Sequence, residues 1–182
     1  GVPLEGDQFG TLYYCDQPQQ GKFAAEAFYD MLKKNNLPLD GTVGVHMSVV
    51  VPVLEEKIDA FRTNLKELAP DLKLLETQYN GNDINKGISL VENQFASHGD
   101  ELVGFFGGNN VTGNAIARAV DERGNSEELV TIAVDSDQQE IEALKKGNLD
   151  ALVVQTPYEQ GYRALMNVFE HISGKVEESP NE

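Results

Sequence analysis

The sequence is short of several things. It has one cysteine and no tryptophan, and its 14 Lys plus Arg stand against 30 Asp plus Glu, a formal net charge of −16. A single thiol closes no intrachain disulfide, which excludes a disulfide-stapled mini-protein and a Cys-based zinc module. The negative excess opposes a phosphate backbone, so no nucleic-acid binding is expected through this chain. Long hydrophobic runs are missing too. The longest, Val49 to Leu54, is interrupted by Pro52 and falls far short of the roughly 20 residues of a bilayer-crossing helix, so no membrane span is expected in this chain. Gly1 to Gly10 carry Glu5 and Asp7 and no basic stretch, and so do not read as a signal peptide. Without an initiator Met, the opening Gly-Val-Pro-Leu reads like the middle of a longer protein.

Chemical motifs are equally sparse. Gly104, Gly107 and Gly108 do not make G-x-G-x-x-G, and no G-K-[ST] follows a glycine-rich loop, which argues against dinucleotide and nucleotide phosphates. His46, His98 and His171 fall on different elements without a Cys or carboxylate at ligand spacing, so no metal site is expected. Ser48 lacks a G-x-S-x-G elbow and Cys15 lacks an evident histidine partner, which leaves no nucleophile with its base. Nothing here calls for a cofactor or identifies a catalytic residue.

What the chain does have is an ordinary apolar fraction, 40%, and length enough to bury a core. Short apolar runs alternate with amphipathic stretches six times. Strands are expected at Thr11 to Cys15, Thr42 to Ser48, Leu72 to Thr77, Leu102 to Phe106, Leu129 to Val134 and Ala151 to Val154. Between them run helical faces such as Leu54, Ile58, Phe61, Leu65 and Leu68, and Ile84, Ile88, Val91 and Phe95. Asp83 reads as an N-cap, Asn80-Gly81 as a turn and Gly147 as a helix stop. Strict β–α alternation predicts an α/β fold, a doubly wound parallel sheet of about six strands with helices on both faces. The last helix carries Tyr162, Leu165, Met166, Phe169 and Ile172, and Lys175 to Glu182 form a polar tail.

In open α/β sheets ligands collect outside the carboxyl ends of the strands. The residues expected there are Met47-Ser48, Gln78-Tyr79-Asn80 with Asn82, Gly107-Gly108-Asn109-Asn110, Asp135-Ser136-Asp137 and Gln155-Thr156. The set is rich in amides and carboxylates and poor in cations, which suits hydroxyl groups better than phosphates. Local structure offers another use for the same residues: Asn109 as a turn residue, Asp135 as a cap, Ser136 or Asp137 as a helix N-cap, Gln155 as a solvated strand end.

At this point the sequence resembles a known family. Asp16-Gln17-Pro18-Gln19-Gln20-Gly21-Lys22-Phe23-Ala24-Ala25-Glu26 is similar to the D-N-x-x-A-G-x-x-A-A-E segment of type 1 periplasmic solute-binding proteins, the ribose- and galactose-like sugar receptors of ABC importers. Ala60-Phe61 matches their Gly-Phe, and Phe106-Gly107-Gly108-Asn109-Asn110 their F-A-x-N-D. Val134-Asp135-Ser136, then Gly147-Asn148-Leu149-Asp150-Ala151 with Gln155-Thr156-Pro157-Tyr158-Glu159-Gln160-Gly161, follow in the same order. The resemblance covers roughly Leu12 to Lys175 and implies one lobe, the C-terminal one, of a two-lobe receptor. Residues 1–174 are then that lobe, with 157–174 as a final helix packing on an absent N-terminal lobe, and 175–182 a tail.

The resemblance also implies roles. Asn109, Asp135 and Gln155 fall where the family hydrogen-bonds sugar hydroxyls. Lys57 replaces the family's arginine, keeping the charge but losing the planar fork. Asn82 replaces an aromatic wall residue, with Tyr79 as a substitute. The implied function is capture of a small sugar-like ligand in an interlobe cleft for an ABC permease, outside the cytoplasm, either periplasmic or lipid-anchored. Two relatives of this fold keep other functions open: the sensing domain of a lactose-repressor-like transcription regulator, and that of an extracytoplasmic sensor kinase.

Overall fold

A computed structural model describes residues 13–174, which form two compact units. The larger, Gln17–Val154, contains α1 (Gln17–Lys34), β1 (Thr42–Met47), α2 (Pro52–Leu68), β2 (Lys73–Leu74), β3 (Gln78–Tyr79) and α3 (Ile84–His98). It continues with β4 (Leu102–Gly107), α4 (Asn110–Arg123), β5 (Val130–Val134), α5 (Gln138–Lys146) and β6 (Ala151–Val153). The smaller unit, as far as it is described, comprises residues 13–16 and 155–174 and contains α6 (Pro157–Ile172).

All strand pairs are parallel, in the order β2-β1-β4-β5-β6, with β3 pairing β1 on the β2 side. The expected α/β class and the six-stranded parallel sheet are both present. The route to six strands differs from the expected one, however. Tyr13 to Asp16 form no strand, and Thr11 and Leu12 lie outside the described residues. β-Propensity measures fit to a pleated, half-buried surface, and without a neighbouring strand the aromatic run has no ladder to join.

The missing strand is made up by the run expected at Leu72 to Thr77, which splits into β2 and β3. Thr42 and Val43 pair Lys73 and Leu74, and His46 and Met47 pair Gln78 and Tyr79, so this edge uses one more residue than β1 over the same stretch. That is the signature of a bulge. Arg62 on α2 covers the interruption, its guanidinium donating to the Leu75 carbonyl and to Thr77 Oγ1.

Helices cover both faces of the sheet, and strand alternation decides which residue goes where. Val43, Val45 and Met47 of β1 join Phe106, Ile132 and the α1 and α2 residues Phe28, Leu32, Ile58, Phe61 and Leu65 in one core. Phe61 stacks on Phe106 with ring centroids 4.1 Å apart, and Phe28 meets Phe61 edge-on at 6.0 Å. Each such buried ring contributes about 1.5–3 kcal/mol. On the other face Phe105 packs with Val91 and Phe95 of α3 and Ile116, Ala119 and Val120 of α4. A smaller cluster, Ala117, Ala133, Ala143 and Leu149, fastens α5.

The expected signals end the helices. Asp83 accepts from the Asn85 and Lys86 amides at the start of α3, and Gly147 closes α5 at φ 82°. At the start of α2 the work is done by Pro52, whose fixed φ suits a first helical position. In the smaller unit no residue of α6 is buried, although Tyr158, Tyr162, Leu165, Phe169 and Ile172 follow helical spacing. Gln160 Nε2 donates to Cys15 Sγ at 2.7 Å within this unit.

Candidate functional site at the strand ends

The parallel registers align the carboxyl ends of the strands. Met47 lies beside Tyr79, His46 beside Gly107, Gly107 beside Ala133, and Val134 beside Val153. Counting β2 and β3 as one interrupted strand, the order reads 2-1-3-4-5, and the direction of winding reverses between β1 and β4. A crevice at such a reversal is the usual ligand site of an open α/β sheet. The loops that leave these ends, 48–51, 80–83, 108–109, 135–137 and 154–156, contain no Lys or Arg.

At the reversal itself Asn109 caps α4. Its Oδ1 accepts from the Thr112 amide at 3.2 Å, while its own backbone N–H donates to Thr112 Oγ1 at 3.2 Å, a reciprocal capping box. Its Nδ2 donates across the crevice to Ser48 Oγ, 2.9 Å away. An amide nitrogen carries two hydrogens, and the Ser48 bond takes one of them. Ser48, only 2% exposed, therefore ties the ends of β1 and β4 together.

Asp135 follows β5 with φ 93°, a left-handed conformation that is costly for a residue with a Cβ. Its backbone and its carboxylate both help to hold it. Its N–H donates to the Val153 carbonyl at 3.0 Å, and its Oδ2 accepts the Asn110 backbone N–H at 3.1 Å. The second bond places a carboxylate at the N-terminus of α4, where the helix dipole favours negative charge. Asn109 and Asp135 are thus brought together, joined through Asn110.

Lys57 is placed differently from a surface ligand group. It is 1% exposed, and Nζ donates to the Gly108 carbonyl at 2.9 Å. Its charge lies beneath the residue that leads into Asn109, where it fixes the loop from below. α2 approaches α1 closely here, and a Cβ on Gly21 would come within 2.2 Å of the Lys57 carbonyl oxygen. Asn82 is exposed in the turn between β3 and α3, with φ 63° and its N–H on Asn80 Oδ1 at 3.0 Å. Gln155 follows β6 by two residues and belongs to the smaller unit.

The sequence reading named Tyr79 and Asp137 at this edge but not the bonds they make, and it missed Glu140 and the place of His46 altogether. Tyr79 donates to both carboxylate oxygens of Glu55, at 3.0 Å each, and its phenol pKa is raised by burial and then by that carboxylate. Asp137 caps α5, with Oδ1 accepting the Glu140 amide at 2.9 Å and the Asp137 N–H donating to Glu140 Oε2 at 3.0 Å. The pattern Asp137-x-x-Glu140 is itself a capping-box signature and could have revealed this pair. Asp137 Oδ2 also accepts from Asn110 Nδ2 at 3.3 Å and Asn114 Nδ2 at 2.8 Å. Glu140 is fully buried, and its pKa is raised to about 7, chiefly by burial and further by the Asp137 and Asp135 charges, against the Asp137 N–H bond. On β1, His46 Nε2 donates to Gln94 Oε1 at 2.8 Å, and burial lowers its pKa to about 4 despite that bond.

Chemically, the edge offers amide donors and carboxylate acceptors held by caps and cross-strand bonds, with its one nearby ammonium buried. It suits hydroxyl-bearing molecules. A separate groove of about 350 Å³ lies between α4 and α5. Four of its polar groups are engaged with one another, Arg118 with Gln139 and Asn148 with Asp121. Among the described residues no cluster of His, Cys, Asp or Glu is arranged to hold a metal ion, and no helix is long and apolar enough to cross a membrane.

Residues 13–176 match the family model of the periplasmic binding protein domain. No curated protein sequence matches the chain. Among solved structures, an ABC transporter solute-binding protein from Agrobacterium vitis, bound with α-D-tagatopyranose, aligns at 27% identity and TM-score 0.80 over 98% of this chain and 57% of its own. A second, from Burkholderia graminis in complex with D-arabinose, aligns at 28% identity and TM-score 0.78 over 91% of this chain and 56% of its own. A glucose-galactose binding protein from Geobacillus stearothermophilus, at 18% identity and TM-score 0.78, shares the fold. The chain spans just over half the length of the structures it matches.

Proposed function

The chain belongs to the periplasmic binding protein domain family, and from that premise we propose that it is the C-terminal, ligand-capturing lobe of a sugar receptor serving an ABC importer outside the cytoplasm. It is a binding module, without a catalytic step. The observation that carries the reading is the joining of Asn109 and Asp135 through Asn110 at the point where the sheet reverses, beside loops that hold no cation. Such a surface hydrogen-bonds the donors and acceptors of a sugar hydroxyl at once.

In this reading Asp135 and Asn109 take ligand hydroxyls, and the family resemblance gives the same role to Gln155. Lys57 acts on the ligand through Gly108, by fixing the loop of Asn109. Asn82 lines the opposite side in place of an aromatic wall, and Tyr79, held on Glu55, is the ring that substitutes for it. A second lobe closes over this edge by a hinge, supplying the remaining contacts and removing water. The same lobe covers the apolar stripe of α6, Tyr158, Tyr162, Leu165, Phe169 and Ile172, none of them buried.

Thermal unfolding of the full-length receptor tests the function. Neutral pentoses and hexoses, D-tagatose and D-arabinose among them, should raise Tm when present far above their Kd, by linkage. A rise with amino acids or short peptides and none with sugars would overturn the proposal.

A further inference from the structure

Behind the proposed ligand edge lies Glu140, buried completely at the N-terminus of α5. Its Oε2 accepts the Asp137 N–H, but its Oε1 has no hydrogen-bond partner among the described residues. That oxygen lies against Gly113 of α4, where an added Cβ would come within 2.6 Å of it. The absence of a side chain at Gly113 makes the space that the carboxyl occupies.

The charges facing Glu140 are those of Asp137, its own cap, and Asp135, at the end of β5. α4 presents Gly113 and Asn114 to this corner, with Arg118 a turn further on and engaged with Gln139. β5 presents Ala133, and β6 consists of Ala151, Leu152 and Val153. Among the described residues no cation is aimed at the carboxyl, so an ionised Glu140 would be a third negative charge, buried and with one oxygen unsatisfied. Such a group favours the neutral acid.

The corner is wired to the ligand edge. Glu140 and Asp137 hold each other through the reciprocal cap. Asp137 takes Asn110 Nδ2, and the Asn110 N–H goes to Asp135. Asp135, strained at φ 93°, depends on such contacts to keep its orientation. We propose that Glu140 is a positioning residue for Asp135: as a neutral acid it locks the 135–137 turn from behind, and its ionisation loosens the turn and weakens ligand binding. The proposal rests on the reading of Asp135 as a ligand-contacting group.

Two readouts test it, one needing no ligand. In the isotope-labelled chain, the Asn110 amide proton should move upfield between about pH 5.5 and about pH 8.5 as its bond to Asp135 weakens, and the same signal should stay still in Glu140→Gln. Glu140→Met provides a second side chain that cannot titrate. In the full-length receptor, affinity for D-tagatose or D-arabinose should fall roughly fivefold over that range in the wild type and stay level in Glu140→Gln. An Asn110 signal that does not move, or moves equally in both variants, overturns the positioning role. If the amide titration is present but neither sugar binds at any pH, the positioning of Asp135 stands and the sugar-receptor reading fails.

Discussion

Replacing Glu140 with Gln should make the protein more stable as pH rises, by an amount that the burial of two groups allows to be worked out. Glu140 is raised from 4.5 to about 7 in the fold. Between those values the folded chain holds a proton that the unfolded chain has released. Its contribution is therefore fully present below about pH 4.5 and lost as pH rises through about 7. His46 is lowered from 6.5 to about 4. In that window the unfolded chain binds the proton that the folded chain refuses, so stability falls as pH falls from 6.5 toward 4. Each window is about 2.5 pH units wide, and at about 1.4 kcal/mol per unit each group is worth of order 3 kcal/mol. Both side chains are essentially unexposed, 0% for Glu140 and 1% for His46, so solvent screening removes little of this. Between about pH 4.5 and 6.5 the two contributions oppose each other and level the profile.

Glu140→Gln removes one of the pair. Urea unfolding followed by far-UV circular dichroism, chosen because the chain has no tryptophan, should find the variant and the wild type equally stable near pH 4.5. By about pH 8 the variant should lead by up to about 3 kcal/mol, and its own curve should now show the acid-side loss due to His46. Taking the difference between the two proteins cancels the exposed carboxylates common to both. A difference that stays constant from pH 4.5 to 8 would refute the reasoning, because Glu140 would then not titrate in that window.

Other substitutions separate structural from binding roles. Asn109→Ala removes the cap of α4 and the bond to Ser48 and should cost about 1–2 kcal/mol, whereas Asn109→Asp keeps the cap acceptor, stays near wild-type stability and still loses the amide donor to ligand; calorimetric affinity beside urea midpoints distinguishes them. Gly113→Ala drives a Cβ to 2.6 Å from Glu140 Oε1 and 2.7 Å from Ala133 Cβ, and should cost about 1–3 kcal/mol in the same unfolding assay. Lys57→Met keeps the stem of the side chain but leaves the Gly108 carbonyl without its ammonium donor, so stability should drop by about 1–3 kcal/mol and amide exchange around 108–109 should speed up.

The central strands were legible because burial on both sheet faces makes a run apolar throughout: Val103 to Phe106 and Val130 to Val134 admit no other reading, and both lie buried in β4 and β5. Caps were legible where one residue type does the work, as at Asp83 and Gly147. The interrupted edge was not, since Lys73-Leu74-Leu75-Glu76-Thr77 carries no pattern that fixes where a bulge falls, and a remote residue, Arg62, covers the gap. Nor was the aromatic segment before α1, whose composition suits a strand but whose described residues join none. At the proposed ligand edge, strand-end position was enough to select Asn109 and Asp135 as candidates, but not the buried supports. Lys57 and Glu140 carry charge on helices whose spacing gives no hint that a Gly108 carbonyl or a Gly113 Cα lies opposite. A charged residue reads as solvated until the facing element is known.

Whether the strand-end carboxylate at Asp135 captures a sugar is decided by isothermal titration of the full-length receptor and its Asp135→Ala variant with the sugar that raises the wild-type Tm. The wild type should give a clear heat of binding and the variant an affinity at least about tenfold weaker, with the variant's fold intact by circular dichroism. Equal affinities for the two proteins would contradict capture by Asp135.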